Sequence, residues 1–272
     1  MKIILSRKGF DSTMGGYPSP IFNNKMVSMP IPEKNSSHRY DELQIDYNLG
    51  TQNFAPLLYT NFDFKRTCHF DPDINKAMLK NRPKNWKALF GQTGSAQTHL
   101  QNQGVKENDI FLFFGWFRHT EKITNKIIFT GPDMHVIFGY FQIGEILKIK
   151  DIQLDKWMKY HPHIQNEEYK NDNLNTLYVA KEKLSFDKNL LGAGAFDYNK
   201  KLVLTKKSYT RSRWNFPEIF KSVNITCHPN PWKISKETGE EYFQSACIGQ
   251  EFVIKENGGI EEWAKKLINL MV

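Results

Sequence analysis

The sequence predicts an α+β protein: a single compact domain of residues 1–272 around a mixed, partly closed β-barrel with peripheral helices. The first observation behind this is Ile110–Arg118, a continuous, strongly aromatic run. It reads as a strand buried on both faces or set in a small barrel. The second is the pair of apolar runs that follow, Lys126–Thr130 and His135–Leu147. Gly139 and Gly144 inside the longer run mark bulges or barrel corners, and the barrel core falls at about residues 104–149. The third is continuity: no repeat, low-complexity segment or linker divides the 272 residues, which suffice for one sizeable core.

The elements follow in order. Met1–Leu5 is a short apolar run and reads as a buried strand. Lys25–Pro32 is a short strand closed by prolines. Residues 33–60 are polar and carry no clear period, and residues 61–83 are aromatic and charged, with Asp71-Pro72-Asp73 as a turn signal. Arg82–Trp86 enters a short helix, and a helical turn or two spans Ser95–Gln101 with Thr93 as N-cap. Asp155–Tyr160 begins a helix or a loop. Leu177–Ala180 and Leu202–Thr205 are strands, and Leu191–Asp197 between them is a small-residue loop. Pro217–Phe220 starts a short helix, and Gly249–Val253 is a strand or turn. In Gly259–Met271, Ile260, Trp263, Ala264, Leu267, Ile268 and Met271 share one face, so this amphipathic helix docks on the core.

Thirty-seven Lys and Arg against 29 Asp and Glu give a net charge of +8, and 14% of residues are aromatic. Cations that meet phosphates and rings that stack on bases suit a nucleic-acid partner. Three widely spaced cysteines exclude a disulfide framework. The Ile3–Leu5 run is too short for a signal peptide, and no run is long enough to span a bilayer, so a soluble, cytoplasmic protein is expected. Cys68-His69 and Cys227-His228 are adjacent pairs that could be half-sites for zinc, but neither CxxC nor HxxxH spacing accompanies them. Core cysteines and surface histidines are the expectation, with no metal and no cofactor.

The stretch most suited to chemistry is the loop after the first strand. Gly9, Gly15 and Gly16 let backbone approach a ligand, Arg7 and Lys8 can hold an anion, and Asp11 can act as a base or stabilise positive charge. The alternative is a basic turn closed by Pro18 and Pro20. Gln92, Gln97 and His99 lie near the start of the predicted helix, where they can meet phosphates or base edges, or simply face solvent. Lys206, Lys207, Tyr209, Arg211 and Arg213 form the best phosphate-tracking stretch. There is no Walker motif and no Rossmann fingerprint.

Two resemblances follow. The order of elements from Gly104 to Ile149 resembles the core of PUA-like barrels, the superfamily of the EVE and ASCH domains. That implies nucleic-acid binding and a pocket for a flipped base, lined by Trp116, Tyr140 and Gln142. The alternative makes Trp116 and Tyr140 core aromatics. Seven segments also resemble the third nucleotide modification associated domain family: Ser6–Ser12 with Gly15–Ile21, Cys68–Asp73, Phe90–Gln92, Ala96–Leu100, Phe113–Arg118, His135–Tyr140 and Gly249–Val253. The less patterned stretches are residues 35–47 and 161–175.

This family resemblance implies association with modified DNA bases, and membership alongside antiphage glycosylases that remove sugar-decorated hydroxymethylcytosine. The expectation is a DNA glycosylase that flips and excises such a base from phage DNA in antiviral defence. Lys206, Lys207, Tyr209, Arg211 and Arg213 would hold the backbone, and Phe10, Trp116 or Tyr140 would wall the base. Arg7, Lys8, Ser12, Gln92, Gln97, His99, Arg118 or Gln142 would contact it. Asp11 is the first-choice carboxylate, with Asp197 and Glu145 in reserve; Lys8 could instead form a Schiff base. The alternatives are a non-catalytic reader of modified bases and an enzyme that installs or edits a modification.

Overall fold

The computed structural model describes residues 1–151, 153–226, 230–245 and 251–271. Cys227, His228, Cys247, Gly249 and Gln250 lie outside the described residues. Strands along the chain are β1 (Ile3–Arg7), β2 (Ser19–Phe22), β3 (Lys25–Met26), β4 (His38–Arg39), β5 (Thr67–Cys68), β6 (Leu89–Gln92) and β7 (Ile110–Ile123). They continue with β8 (Lys126–Lys148), β9 (Thr176–Ala180), β10 (Ala193–Ala195), β11 (Arg213–Trp214), β12 (Trp232–Ile234), β13 (Glu241–Gln244) and β14 (Glu251–Ile254). Helices are α1 (Ile45–Asn48), α2 (Phe54–Leu58), α3 (Gly94–Asn102), α4 (Pro162–Gln165), α5 (Glu167–Lys170) and α6 (Gly258–Ile268).

The main sheet is mixed and runs β14-β1-β7-β8-β9-β6, with β10 on β8 and the β2–β3 hairpin on β7. Among the described residues its end strands do not pair, so the sheet does not close into a barrel. β7 and β8 form one long hairpin, and the two runs expected as separate strands are a single strand of 23 residues. Its register shifts between Ile143 and Glu145, so Gly144 sits at a bulge as expected.

β7 is buried on both faces. On one, Phe111 and Phe113 pack against Phe90 and Tyr178. On the other, Phe114 meets Trp214, which stacks on Phe243 of the small sheet β11-β13-β12. α6 docks through Ile260, Ala264, Leu267 and Ile268, and Asn257 caps it by accepting the Gly259 and Ile260 amides.

Several expectations need correction. Leu202 and Leu204 are buried, but their segment is a 3-10 turn with isolated bridges rather than a strand. The prolines leave only Lys25–Met26 as strand. Trp86 is not helical, and the small-residue loop contains β10. Thr93 holds the N-cap position of α3, yet its hydroxyl does not cap. It donates to Asp172, and that carboxylate also accepts the Gly94 amide.

One feature of the topology positions the site. β1 runs parallel to β7 along Ile110–Phe114, and β2 runs parallel to the same edge along Phe117–His119. The chain between β1 and β2 must therefore leave the sheet and return to it. That excursion is the glycine-rich loop, anchored where the Lys8 amide donates to the Phe114 carbonyl at 2.8 Å.

Candidate active site

The loop is folded around Asp11. Its Oδ1 accepts the Thr13 amide, the Thr13 hydroxyl and the Met14 amide, each at 2.7 Å. Gly15 completes the turn at φ +92°, where a Cβ would lie 2.3 Å from the Phe10 ring. Phe10 itself is buried against Tyr40 and Phe62. Expected to wall the base, it instead pins the loop to a second hydrophobic cluster and does not line the cavity. Partial burial would raise the Asp11 pKa, but the Thr13 and Met14 hydrogen bonds and the nearby Arg7 outweigh it and hold the carboxyl below its ordinary range.

Asp11 lines a cavity of about 230 Å³ together with Arg7, Lys8, Gln92, His69, Asp71, His163 and Tyr169. Ser6 of β1 and Lys8 just beyond it both reach Glu251, the first residue of the neighbouring strand β14. Glu251 Oε1 accepts Gln92 Nε2 at 2.7 Å and Ser6 Oγ at 3.0 Å, and pairs with Lys8 Nζ at 3.3 Å. Lys8 also lies 4.5 Å from the centre of the Phe90 ring. Lys8 is thus held in place where it lines the cavity.

The opposite wall is a histidine–carboxylate cluster. Asp71 Oδ1 accepts the Gly91 amide at 2.8 Å and faces His161 Nε2 at 3.1 Å, while Oδ2 lies 3.7 Å from His69 Nε2. His69 Nδ1 faces Glu33 Oε2 at 3.1 Å. Tyr169 and Asn166 donate to Glu33 Oε1. His163 Nδ1 faces Asn175 Oδ1 at 2.8 Å, and its ring stacks on Tyr169. Gly91 makes this possible, because a Cβ there would meet the His163 ring at 2.2 Å.

Burial disfavours a charged His69, but Asp71 and Glu33 outweigh it and push its pKa up to about 9. Burial, reinforced by His69, brings His163 down to about 3. Burial would raise Asp71, yet its histidine partners hold it far below the usual carboxylate range. One donor atom each from His69, Asp71 and His163 lies within 4.8 Å of the others, so these three residues could hold a metal ion.

The other expected residues divide. Arg211 lies over the Trp116 ring at 4.1 Å and donates to Ser12 Oγ, next to Asp11. Trp116 donates to Asp133 at 2.9 Å. Lys206 pairs with Glu240 at 3.1 Å, and Arg213 lies over Tyr242 and Tyr209. Tyr209 donates to Glu240, and Lys207 is exposed. This stretch is therefore a half-buried cation–aromatic surface that abuts the rim of the loop.

Asp197 and Glu145 are not brought to the cavity. The first is 63% exposed and paired with Lys25, the second 54% exposed beside Lys87. Gln142 is fully buried with its amide spent on Asn108 and Ser185. Gln97 accepts the Tyr178 hydroxyl, and His99 faces Thr226. Tyr140 is buried, donates to the Leu191 carbonyl and lines a different cavity. Arg118 donates to the Gly131 carbonyl.

Of the histidine wall the sequence singled out only the Cys68–Asp73 segment with His69. Cys68 is in the core as expected, but His69 is buried rather than on the surface. His161, His163, Asn166, Tyr169 and Asn175 come from the stretch that showed least pattern. The available signal was His161-Pro162-His163 within a polar segment, beside Cys68–Asp73, which already carried the resemblance.

One family model matches the chain: nucleotide modification associated domain 3, over residues 2–255. No curated protein matches, and no solved structure matches.

Proposed function

The chain belongs to the nucleotide modification associated domain 3 family, and from that premise we propose that it is a DNA glycosylase acting on a bulky modified pyrimidine. Its substrate is phage DNA carrying sugar-decorated hydroxymethylcytosine, and its role is antiphage defence. One observation carries the reading: Arg211, within the cation–aromatic stretch, reaches Ser12 beside Asp11. The surface suited to a DNA backbone thus adjoins a cavity that holds an ionised carboxylate.

Lys206, Lys207 and Arg213 track phosphates, with Tyr209 among them. Arg7 and Gln92 meet the extruded nucleotide in the cavity. Cleavage of the N-glycosidic bond builds positive charge on the deoxyribose, as in glycoside hydrolysis. The Asp11 carboxylate stabilises that charge and orients a water. The water adds its oxygen to C1′ and gives up a proton, the bond to the base breaks, the base leaves with the electron pair and takes up a proton in turn, and an abasic site remains.

The test is incubation of the protein with DNA containing glucosylated hydroxymethylcytosine and, separately, with plain cytosine DNA. Free base and altered nucleosides are read by mass spectrometry, and abasic sites by alkali cleavage. Free modified base with matching abasic sites, from the modified DNA alone, is expected. Tight binding without release would replace the enzyme with a reader. An altered nucleoside still attached to the sugar would make the chain an editing enzyme.

A further inference from the structure

We propose that His69, His163 and Asp71 form a binding site for one first-row divalent transition ion of the zinc or ferrous class. Geometry alone defines this site, which stands apart from the reaction proposed for the cavity. Two imidazoles and one carboxylate each offer a donor atom, all within 4.8 Å of one another. Nitrogen and oxygen ligands at 2.0–2.1 Å from one ion lie roughly 3–3.5 Å apart in a tetrahedral site. The His69 Nε2 to Asp71 Oδ2 separation is already 3.7 Å. Modest side-chain rotation brings in the third ligand.

The stronger observation is the shell behind these atoms. A ligating histidine characteristically gives its other ring nitrogen to a carboxylate or carbonyl, which fixes tautomer and orientation. Both histidines do so here. Glu33 faces His69 Nδ1 and Asn175 Oδ1 faces His163 Nδ1, which leaves Nε2 of each ring for the ion. Asp71 follows the same logic, since Gly91 and His161 occupy Oδ1 and leave Oδ2. Glu33 is in turn held by Tyr169 and Asn166.

Two histidines and one carboxylate are a donor set for zinc or non-haem iron rather than for magnesium or calcium, which prefer all-oxygen shells. The three residues all line the 230 Å³ cavity. Three protein ligands leave coordination positions open to water or to a substrate oxygen. Arg7 and Lys8 share the cavity, and Lys8 is paired with Glu251, which limits its repulsion of a cation.

The experiment uses the full chain, stripped with a chelator and dialysed. It is titrated with Co²⁺, followed by visible absorption, and with Zn²⁺, followed by calorimetry, both without DNA. One equivalent is expected to bind at micromolar or lower Kd, with d–d bands of nitrogen–oxygen coordination. Asp71→Asn and His163→Ala weaken binding at least a hundredfold. Glu33→Gln, which only loosens His69, weakens it ten- to a hundredfold. Asp197→Asn leaves it unchanged.

Failure of the wild-type chain to take up one equivalent would overturn the proposal whether or not any variant folds. So would equimolar binding undiminished in a folded Asp71→Asn or Glu33→Gln protein. Because no DNA is present, failed base release leaves this result standing, and failed metal binding leaves the glycosylase assay standing.

Discussion

At the scale of single residues, close approach and charge decide the site. At Gly91 one methyl group would sit 2.2 Å from the His163 ring. Gly91→Ala is expected to leave the strand paired, displace that ring and reduce Co²⁺ affinity at least tenfold, read by the same titration. His135 supplies a separate prediction. Burial, then the nearby Arg7 and Arg211, holds its pKa well below 6.5, and Trp214 Nε1 donates to its Nδ1 at 3.0 Å. As pH falls through about 6.5 the unfolded chain takes up a proton here and the folded chain does not. Stability is therefore full above that pH and lost below it, by up to about 1.4 kcal/mol per pH unit for this one group. Urea unfolding from pH 8 to pH 5 is expected to show a shallower loss for His135→Gln than for the wild-type chain.

At the scale of elements, the split edge of β7 creates the loop, and a buried ion pair fixes the segment that carries the histidine wall. Arg82 is paired with Asp73, both nearly or fully buried, and Tyr160 and Trp86 also donate to that carboxylate. Removing one partner strands the other charge, so Arg82→Ala is expected to cost about 3–5 kcal/mol, measured as a shift in the urea midpoint. The basic stretch behaves differently, because its work is done in solvent. Lys207→Ala and Arg213→Ala should each lower the salt slope of DNA binding by about one, equally for modified and plain DNA. A change confined to modified DNA would move these residues from the backbone to the base.

For the molecule as a whole, what was legible followed periodicity and what was not followed distance. β1, β7, β9 and α6 announce themselves as apolar runs or an apolar face, and α3 only by Thr93 at its N-cap position. The glycine-rich loop declared Asp11, Arg7 and Lys8 because turn chemistry is local. Closure of the sheet is not local, and the aromatic runs that suggested a barrel are buried on both faces of a sheet whose end strands do not pair among the described residues. The histidine wall joins residues 90 to 136 positions apart, such as His161 with Asp71 and Tyr169 with Glu33, so no spacing rule could find it. Gln142 and Gln97 looked available for recognition because a polar side chain in sequence carries no mark of a buried partner. Four of the segments that carry the family resemblance nonetheless converge: residues of Ser6–Ser12, His69 and Asp71, Gly91 and Gln92, and Glu251 meet around the same cavity or directly behind it.

The central claim is that Asp11 stabilises the departure of a base from its sugar. The most direct test is a single-turnover time course of base release from glucosylated hydroxymethylcytosine DNA, with protein in excess and binding measured in parallel. Asparagine retains the oxygen that accepts the Thr13 and Met14 donors, so Asp11→Asn removes the charge and keeps the turn. The account predicts unchanged DNA binding and a release rate lower by about 10²–10³. An Asp11→Asn protein that releases the base at the wild-type rate would contradict it.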